Sequence, residues 1–110
     1  MAIFRSLSSK KLINGVEIKT SDLSIITNEE YVTNGESAIV VKGVEKCNLF
    51  LDSKTTDHVV IKSLTNVLVS SNELIDEEYN EVELTKGSCV EFRKIGDYWY
   101  ILSSDGLKNS

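Results

Sequence analysis

Apolar side chains along this chain fall in short blocks, several alternating with polar residues, and Gly, Asn, Asp and Ser separate the blocks. Alternation with period two puts successive side chains on opposite faces of a strand. The pattern therefore predicts strands near residues 16–19, 23–27, 37–42, 47–51, 58–62, 67–70, 82–84, 90–95 and 98–103. No window sustains helical spacing. The nearest is 72–79, where Glu73, Asp76, Glu77 and Glu78 surround Leu74 and Ile75, and it reads as a loop with at most one helical turn. Asn14-Gly15 and Asn34-Gly35 are strong turn dipeptides, with weaker signals at Gly43 and Gly87. Short strands at regular intervals predict an all-β chain, in the form of a small antiparallel β-sandwich or barrel. The blocks share no repeated side-chain motif, which argues against a solenoid. Residues 1–14 read as an extended N-terminal arm and 15–110 as one β domain.

The last third of the chain gives the sharpest local prediction. Gly96-Asp97 is a Gly-first pair suited to a two-residue II′ turn, so Ile95 should pair with Tyr98, Lys94 with Trp99, Arg93 with Tyr100, Phe92 with Ile101 and Glu91 with Leu102. One face then carries Val90, Phe92, Trp99 and Ile101, an apolar set that belongs in a core. The other carries Glu91, Arg93 and Ile95 opposite Leu102, Tyr100 and Tyr98. So many aromatic and aliphatic groups on an outer face suggest a second layer or another subunit, and Arg93, Ile95, Tyr98, Tyr100 and Leu102 are the candidate subunit interface. A solvated face with incidental tyrosines is the plain alternative.

Charge changes the picture at the two ends. Residues 1–20 sum to +3, leaving −8 for the remainder of a chain of net charge −5. An acidic body is a poor partner for nucleic acid, because phosphate neutralisation needs clustered Lys and Arg. The basic, serine-rich start, with Arg5, Lys10 and Lys11, is a candidate attachment arm for an acidic neighbour; a frayed, solubilising terminus is the alternative. The apolar runs are too short to cross a membrane as a helix and the start lacks a signal-peptide core, so the expectation is a protein made in a cytosol. Cys47 and Cys89 sit in predicted strands without a CxxC pair, which reads as two small buried side chains rather than a zinc site or a disulfide.

Candidate chemistry is sparse, and the expectation is no enzyme, no cofactor and no metal. Thr55-Thr56-Asp57-His58 contains the residue types of a nucleophilic triad, yet neighbours on one strand cannot converge on one point. Alternation instead puts His58 with Val60 and Lys62, away from Val59 and Ile61. Asp76, Glu77, Glu78, Glu81 and Glu83 could offer oxygens to calcium but lack the Gly-punctuated spacing of an EF-hand loop. Exposed tyrosines, Tyr31, Tyr79, Tyr98 and Tyr100, leave a cell-surface glycan as the alternative ligand.

An ordered set of elements carries a resemblance. Residues 48–51, Val59-Val60-Ile61-Lys62, Ile75-Asp76, Gly87-Ser88-Cys89-Val90-Glu91-Phe92, Gly96-Asp97 and Trp99-Tyr100-Ile101-Leu102 follow one another over residues 37–104. In that order they resemble the C-terminal β-domain pattern of bacteriophage fibre, tail and head-surface proteins. Residues 103–108 are similar to the tails of small virion structural proteins of T4-like phages of marine cyanobacteria. The resemblance implies a virion structural role, a homotrimer, and contact with the major capsid protein or with tail or baseplate neighbours. Without a repetitive shaft, a capsid-surface decoration (cement) protein is the expected type. The alternative is a tail-fibre or baseplate component that acts as a receptor- or carbohydrate-binding adhesin. Residues 1–36 lie outside the shared pattern and would hold the attachment to a particular part of the virion.

Overall fold

The computed structural model describes residues 23–107, with side chains as far as Ser104. The expected strand at 16–19, the Asn14-Gly15 turn and the arm with Arg5, Lys10 and Lys11 lie outside those residues. Within them the chain is all-β, with eight strands and no helix: β1 (Leu23–Ile26), β2 (Glu30–Val32), β3 (Ala38–Val41), β4 (Lys46–Leu51), β5 (His58–Ser63), β6 (Asn66–Ile75), β7 (Tyr79–Ile95) and β8 (Tyr98–Leu107).

The expected antiparallel sandwich or barrel is not what these strands build. β1, β3 and β5 pair in parallel in one half of the sheet, and β2, β4 and β6 pair in parallel in the other. The backbone thus winds from one half to the other and back, each turn resting on the one before, as in a short solenoid. Antiparallel pairing enters only with β7 and β8. The half containing β1, β3 and β5 is called the front below, and that containing β2, β4 and β6 the back.

Register explains the winding. In the front half Ile39, Ile61 and Val90 are aligned on adjacent strands, as are Val59 and Phe92. In the back half Cys47, Val67 and Leu84 are aligned, and Leu49 lies beside Val69. All of these are buried and belong to one cluster. Each large aliphatic side chain so buried stabilises by about 1.5–3 kcal/mol relative to exposure, which favours stacking like on like.

Hydroxyls close the bends. At one bend Asp52 N donates to Thr33 Oγ1 at 2.8 Å, Thr55 Oγ1 to Thr33 O at 2.9 Å, and Gly35 N to Thr56 Oγ1 at 2.8 Å. At the other, Thr65 Oγ1 donates to Glu45 O at 2.9 Å and Ser63 Oγ to Thr85 O at 2.9 Å. Thr33, Thr56, Ser63 and Thr65 are buried there, and every buried side-chain polar atom among the described residues is hydrogen-bonded. These bonds replace the water that the bends exclude.

β7 closes one end of the stack. Its first part pairs with β6 and its second with β5, so a single strand crosses from back to front and seals both. The crossing falls at Gly87, whose φ of 96° suits glycine and few other residues. The separate strands expected at 82–84 and 90–95 are therefore one bent strand. β8 runs antiparallel to β7 and brings Trp99, fully buried, over the core beside Phe92. The expected loop at 72–79 is instead a tight turn between β6 and β7, with Asp76 and Glu77 both left-handed at φ 55° and 62°. β2, only three residues long, has no counterpart in the sequence prediction.

Candidate interaction surface

Because Ile39, Val41, Val59 and Ile61 point into the core, their neighbours point outward from the front. Ile25, Val40, Lys62 and Cys89 are aligned across β1, β3, β5 and β7, and Leu23, Ala38, Val60, Glu91 and Ser103 form the adjacent row. His58 opposite Arg93 and Arg93 opposite Tyr100 begin a third row, followed by Ile95 with Tyr98. Ile25 is 66% exposed and Ile95 51%. The front is thus an apolar, aromatic face with charged groups of both signs, Lys62, Arg93 and Glu91, set into it.

Of the candidate interface residues, Arg93, Ile95, Tyr98 and Tyr100 share this face in the expected register. Leu102 does not follow. Phe92 pairs with Ile101 but Glu91 with Ser103, so Leu102 is the extra residue of a bulge, unpaired and 51% exposed. The Tyr98 and Tyr100 rings meet edge to face, with centroids 6.4 Å apart. Tyr100 Oη donates to Glu77 Oε2 at 2.7 Å, and this bond to a carboxylate raises the phenol pKa.

At the centre of the front His58 Nε2 donates to Glu91 Oε2 at 2.6 Å, and Ser103 Oγ donates to Glu91 Oε1 at 3.0 Å. These hydrogen bonds, with the charge of Arg93, hold the Glu91 carboxyl below its usual range against partial desolvation. Serine, carboxylate and imidazole are all present, but in the wrong order for nucleophilic catalysis. The carboxylate stands between the other two, so Ser103 Oγ donates to Glu91 and not to the imidazole. Thr56, from the other triad-like run, is buried and accepts a hydrogen bond from Gly35 N. The predicted pairing of His58 with Val60 and Lys62 holds. The link to Glu91 joins residues on strands with an intervening pair of turns, and alternation alone gives no signal of it.

The back has a different character. Glu30, Asn48, Leu68 and Glu83 form one outward row, and Val32, Phe50, Ser70 and Glu81 the next. Glu30, Glu81 and Glu83 are exposed, Val32 is 53% exposed, and Phe50 and Leu68 are half-buried. The acidic run scanned for calcium ligands is thereby divided between the back and the Asp76–Glu77 turn. Among the described residues no three acidic, His or Cys side chains could hold a metal ion, and no helix is long and apolar enough to cross a membrane.

Two further carboxylates serve the fold. Glu36 is buried and accepts hydrogen bonds from Tyr31 Oη and, at 2.7 Å, from Asn34 N. Burial together with this neighbour pushes the Tyr31 phenol up to about 12. Glu73 accepts from Ser53 Oγ at 2.9 Å, Ser71 Oγ at 2.9 Å and Trp99 Nε1 at 3.2 Å. Burial alone would raise its pKa, but these bonds outweigh it and lower the carboxyl below its usual value. Both cysteines are free thiols. Cys47 faces the core, where burial and the Glu30 charge raise its pKa, while Cys89 is half-buried on the front, so the two cannot pair and the expectation of two buried side chains holds only for Cys47.

Compared with protein-family models, curated proteins and solved structures, the chain matches none.

Proposed function

We propose that this chain is a self-associating structural protein of a bacteriophage particle, a decoration subunit on the capsid surface. The observation that carries the proposal is the front face, where Ile25 and Val40 lie on the outer side of the parallel strands β1 and β3, and Ile95, Tyr98 and Tyr100 extend the apolar surface onto the antiparallel β7–β8 hairpin. Parallel sheets ordinarily have both faces covered, so an apolar outer face calls for a covering surface. The ordered resemblance over residues 37–104 supplies the phage context, and a homotrimer is the assembly it implies. The basic segment with Arg5, Lys10 and Lys11 is the proposed attachment to the major capsid protein or to a tail or baseplate neighbour.

The test has two parts. Light scattering of the purified chain should give the mass of an oligomer, and mass spectrometry of separated capsids and tails should find the chain on capsids. A particle map with isolated single copies would overturn self-association, and recovery only from tails would overturn the capsid assignment. The edge-to-face Tyr98–Tyr100 pair, with Glu77 and Arg93 beside it, favours one second reading, an adhesin that binds a glycan. Glycan-array binding lost on Tyr98→Ala would replace the first reading with that one.

A further inference from the structure

We propose that Asn34-Gly35 is a site of spontaneous deamidation that the folded chain holds latent, with the Thr56 hydroxyl as its guard. The site is independent of the assembly proposed above. It lies in the bend between β2 and β3, where Asn34 and Gly35 are both exposed and Gly35 has a φ of 89°. That conformation reserves the position for glycine, and an added Cβ would also stand only 3.4 Å from Thr55 O. Without a Cβ, the Gly35 nitrogen is open to the side-chain amide of the residue before it. The bend thus demands the very neighbour that makes an asparagine labile.

The reaction needs only water. The Gly35 amide gives its proton to solvent and its nitrogen attacks Asn34 Cγ; the new N–Cγ bond closes a cyclic imide, the Cγ–Nδ2 bond breaks, and Nδ2 takes up a proton and leaves as ammonia. Water then opens the imide, at Cγ to give aspartate or at the main-chain carbonyl carbon to give isoaspartate. Attack therefore requires a Gly35 nitrogen that is free of its proton and able to turn toward Cγ. In the folded chain this N–H donates to Thr56 Oγ1 at 2.8 Å, and Thr56 is only 3% exposed. A hydroxyl is too weak a base at neutral pH to take the proton, so the bond protects the nitrogen rather than activating it. Thr56 belongs to the bend between β4 and β5, so freeing the nitrogen means lifting one coil from the next. Asn34 N is held as well, by Glu36 Oε1 at 2.7 Å, and Thr33 Oγ1 accepts from Asp52 N at 2.8 Å across the same two bends. Deamidation consequently records an opening of this bend, and each event leaves a carboxylate there in place of an amide.

The test follows conversion at residue 34 in the full chain by peptide mapping and mass spectrometry, which separates it from the Asn14-Gly15 pair. Rates are compared for the folded chain, the chain in denaturing urea at the same pH, Thr56→Val and Thr56→Ser, with circular dichroism to confirm folding. The folded chain should convert more slowly than the unfolded one by about tenfold or more. Thr56→Val should convert about fivefold faster than the parent, while Thr56→Ser, which keeps the hydroxyl, should stay near it. Equal rates in the folded and unfolded chains overturn the proposal, and so does a folded Thr56→Val with the parent's rate. A slower Thr56→Val overturns it too, because the hydroxyl would then be helping the proton to leave. If Thr56→Val does not fold, the parent decides the matter in sub-denaturing urea: conversion should rise in step with hydrogen exchange at the Gly35 amide, and conversion that ignores that exchange removes the guard.

Discussion

Trp99 is the side chain on which the closed end depends. Fully buried beside Phe92 and tied through its indole N–H to Glu73, it was legible in advance because Gly96-Asp97 sets the register two residues away. Trp99→Ala should cost about 3–5 kcal/mol, read as a shift in the urea midpoint. An unchanged midpoint would place the indole outside the core. Glu73 itself was not legible, since Ser53, Ser71 and Trp99 come to it from separate stretches of chain. Its folded pKa is lowered, so its contribution is present above the unfolded value of about 4.3 and is lost as pH falls through the folded value. Stability measured from pH about 6 down to about 3 should therefore fall less steeply in Glu73→Gln than in the parent chain. Identical slopes would remove Glu73 from the acid response.

Among the elements, the β7–β8 hairpin shows how far a turn dipeptide carries. Four cross-strand pairs follow from Gly96-Asp97, and the register then slips at Leu102, because a bulge depends on the twist of the whole ribbon and leaves no mark in the alternation. The β6–β7 turn was missed for a different reason. Consecutive left-handed residues are normally announced by Asn-Gly or a similar pair, and here the two positions are Asp76 and Glu77. Asp76 Oδ1 accepts from Ile101 N at 3.0 Å, which helps to hold the turn. Replacing Glu77 with Gly should relieve the backbone and raise stability by about 0.5–1 kcal/mol, measured by urea unfolding. The same change removes the acceptor of Tyr100, whose phenol should then ionise at lower pH in a spectrophotometric titration. Loss of stability in Glu77→Gly would mean that the Tyr100 bond outweighs the strained turn.

For the molecule as a whole, strand positions were largely legible and their pairing was not. A period of two records which side chains face the core, but it is the same in parallel and antiparallel sheets. A solenoid is usually found by its repeat, and this one has none to find. Ala38 lies beside Leu23 at a separation of 15 residues and Val60 beside Ala38 at 22, while in the back half Asn48 lies beside Glu30 at 18 and Asn66 beside Lys46 at 20. Bends of unequal length hide the stacking that the apolar columns and buried hydroxyls produce. The front face was anticipated only at its hairpin end, since Ile25, Val40 and Val60 join it through strand pairs distant in sequence. Hydrogen exchange should reflect the stacking, with amides of β4 and β5, flanked on both sides, protected longer than those of β1 and β2 at the outer edges. Equal protection throughout would show that something further covers the edge strands.

The strand that crosses from back to front at Gly87 also dictates when the protein can fold. On the ribosome β1 to β6 emerge first, and their buried sides face a core that lacks Phe92 and Trp99. Nothing completes it until the C-terminal hairpin has been translated, and β5 must then find a partner about 30 residues downstream. For that interval the nascent chain presents unpaired edges and open aliphatic columns, the state most prone to misassociation with other copies. Premature termination after Ile75, the end of β6, should therefore yield insoluble chains rather than a smaller soluble domain, in fractionated lysates, and the same chains should remain soluble if the first six strands fold alone.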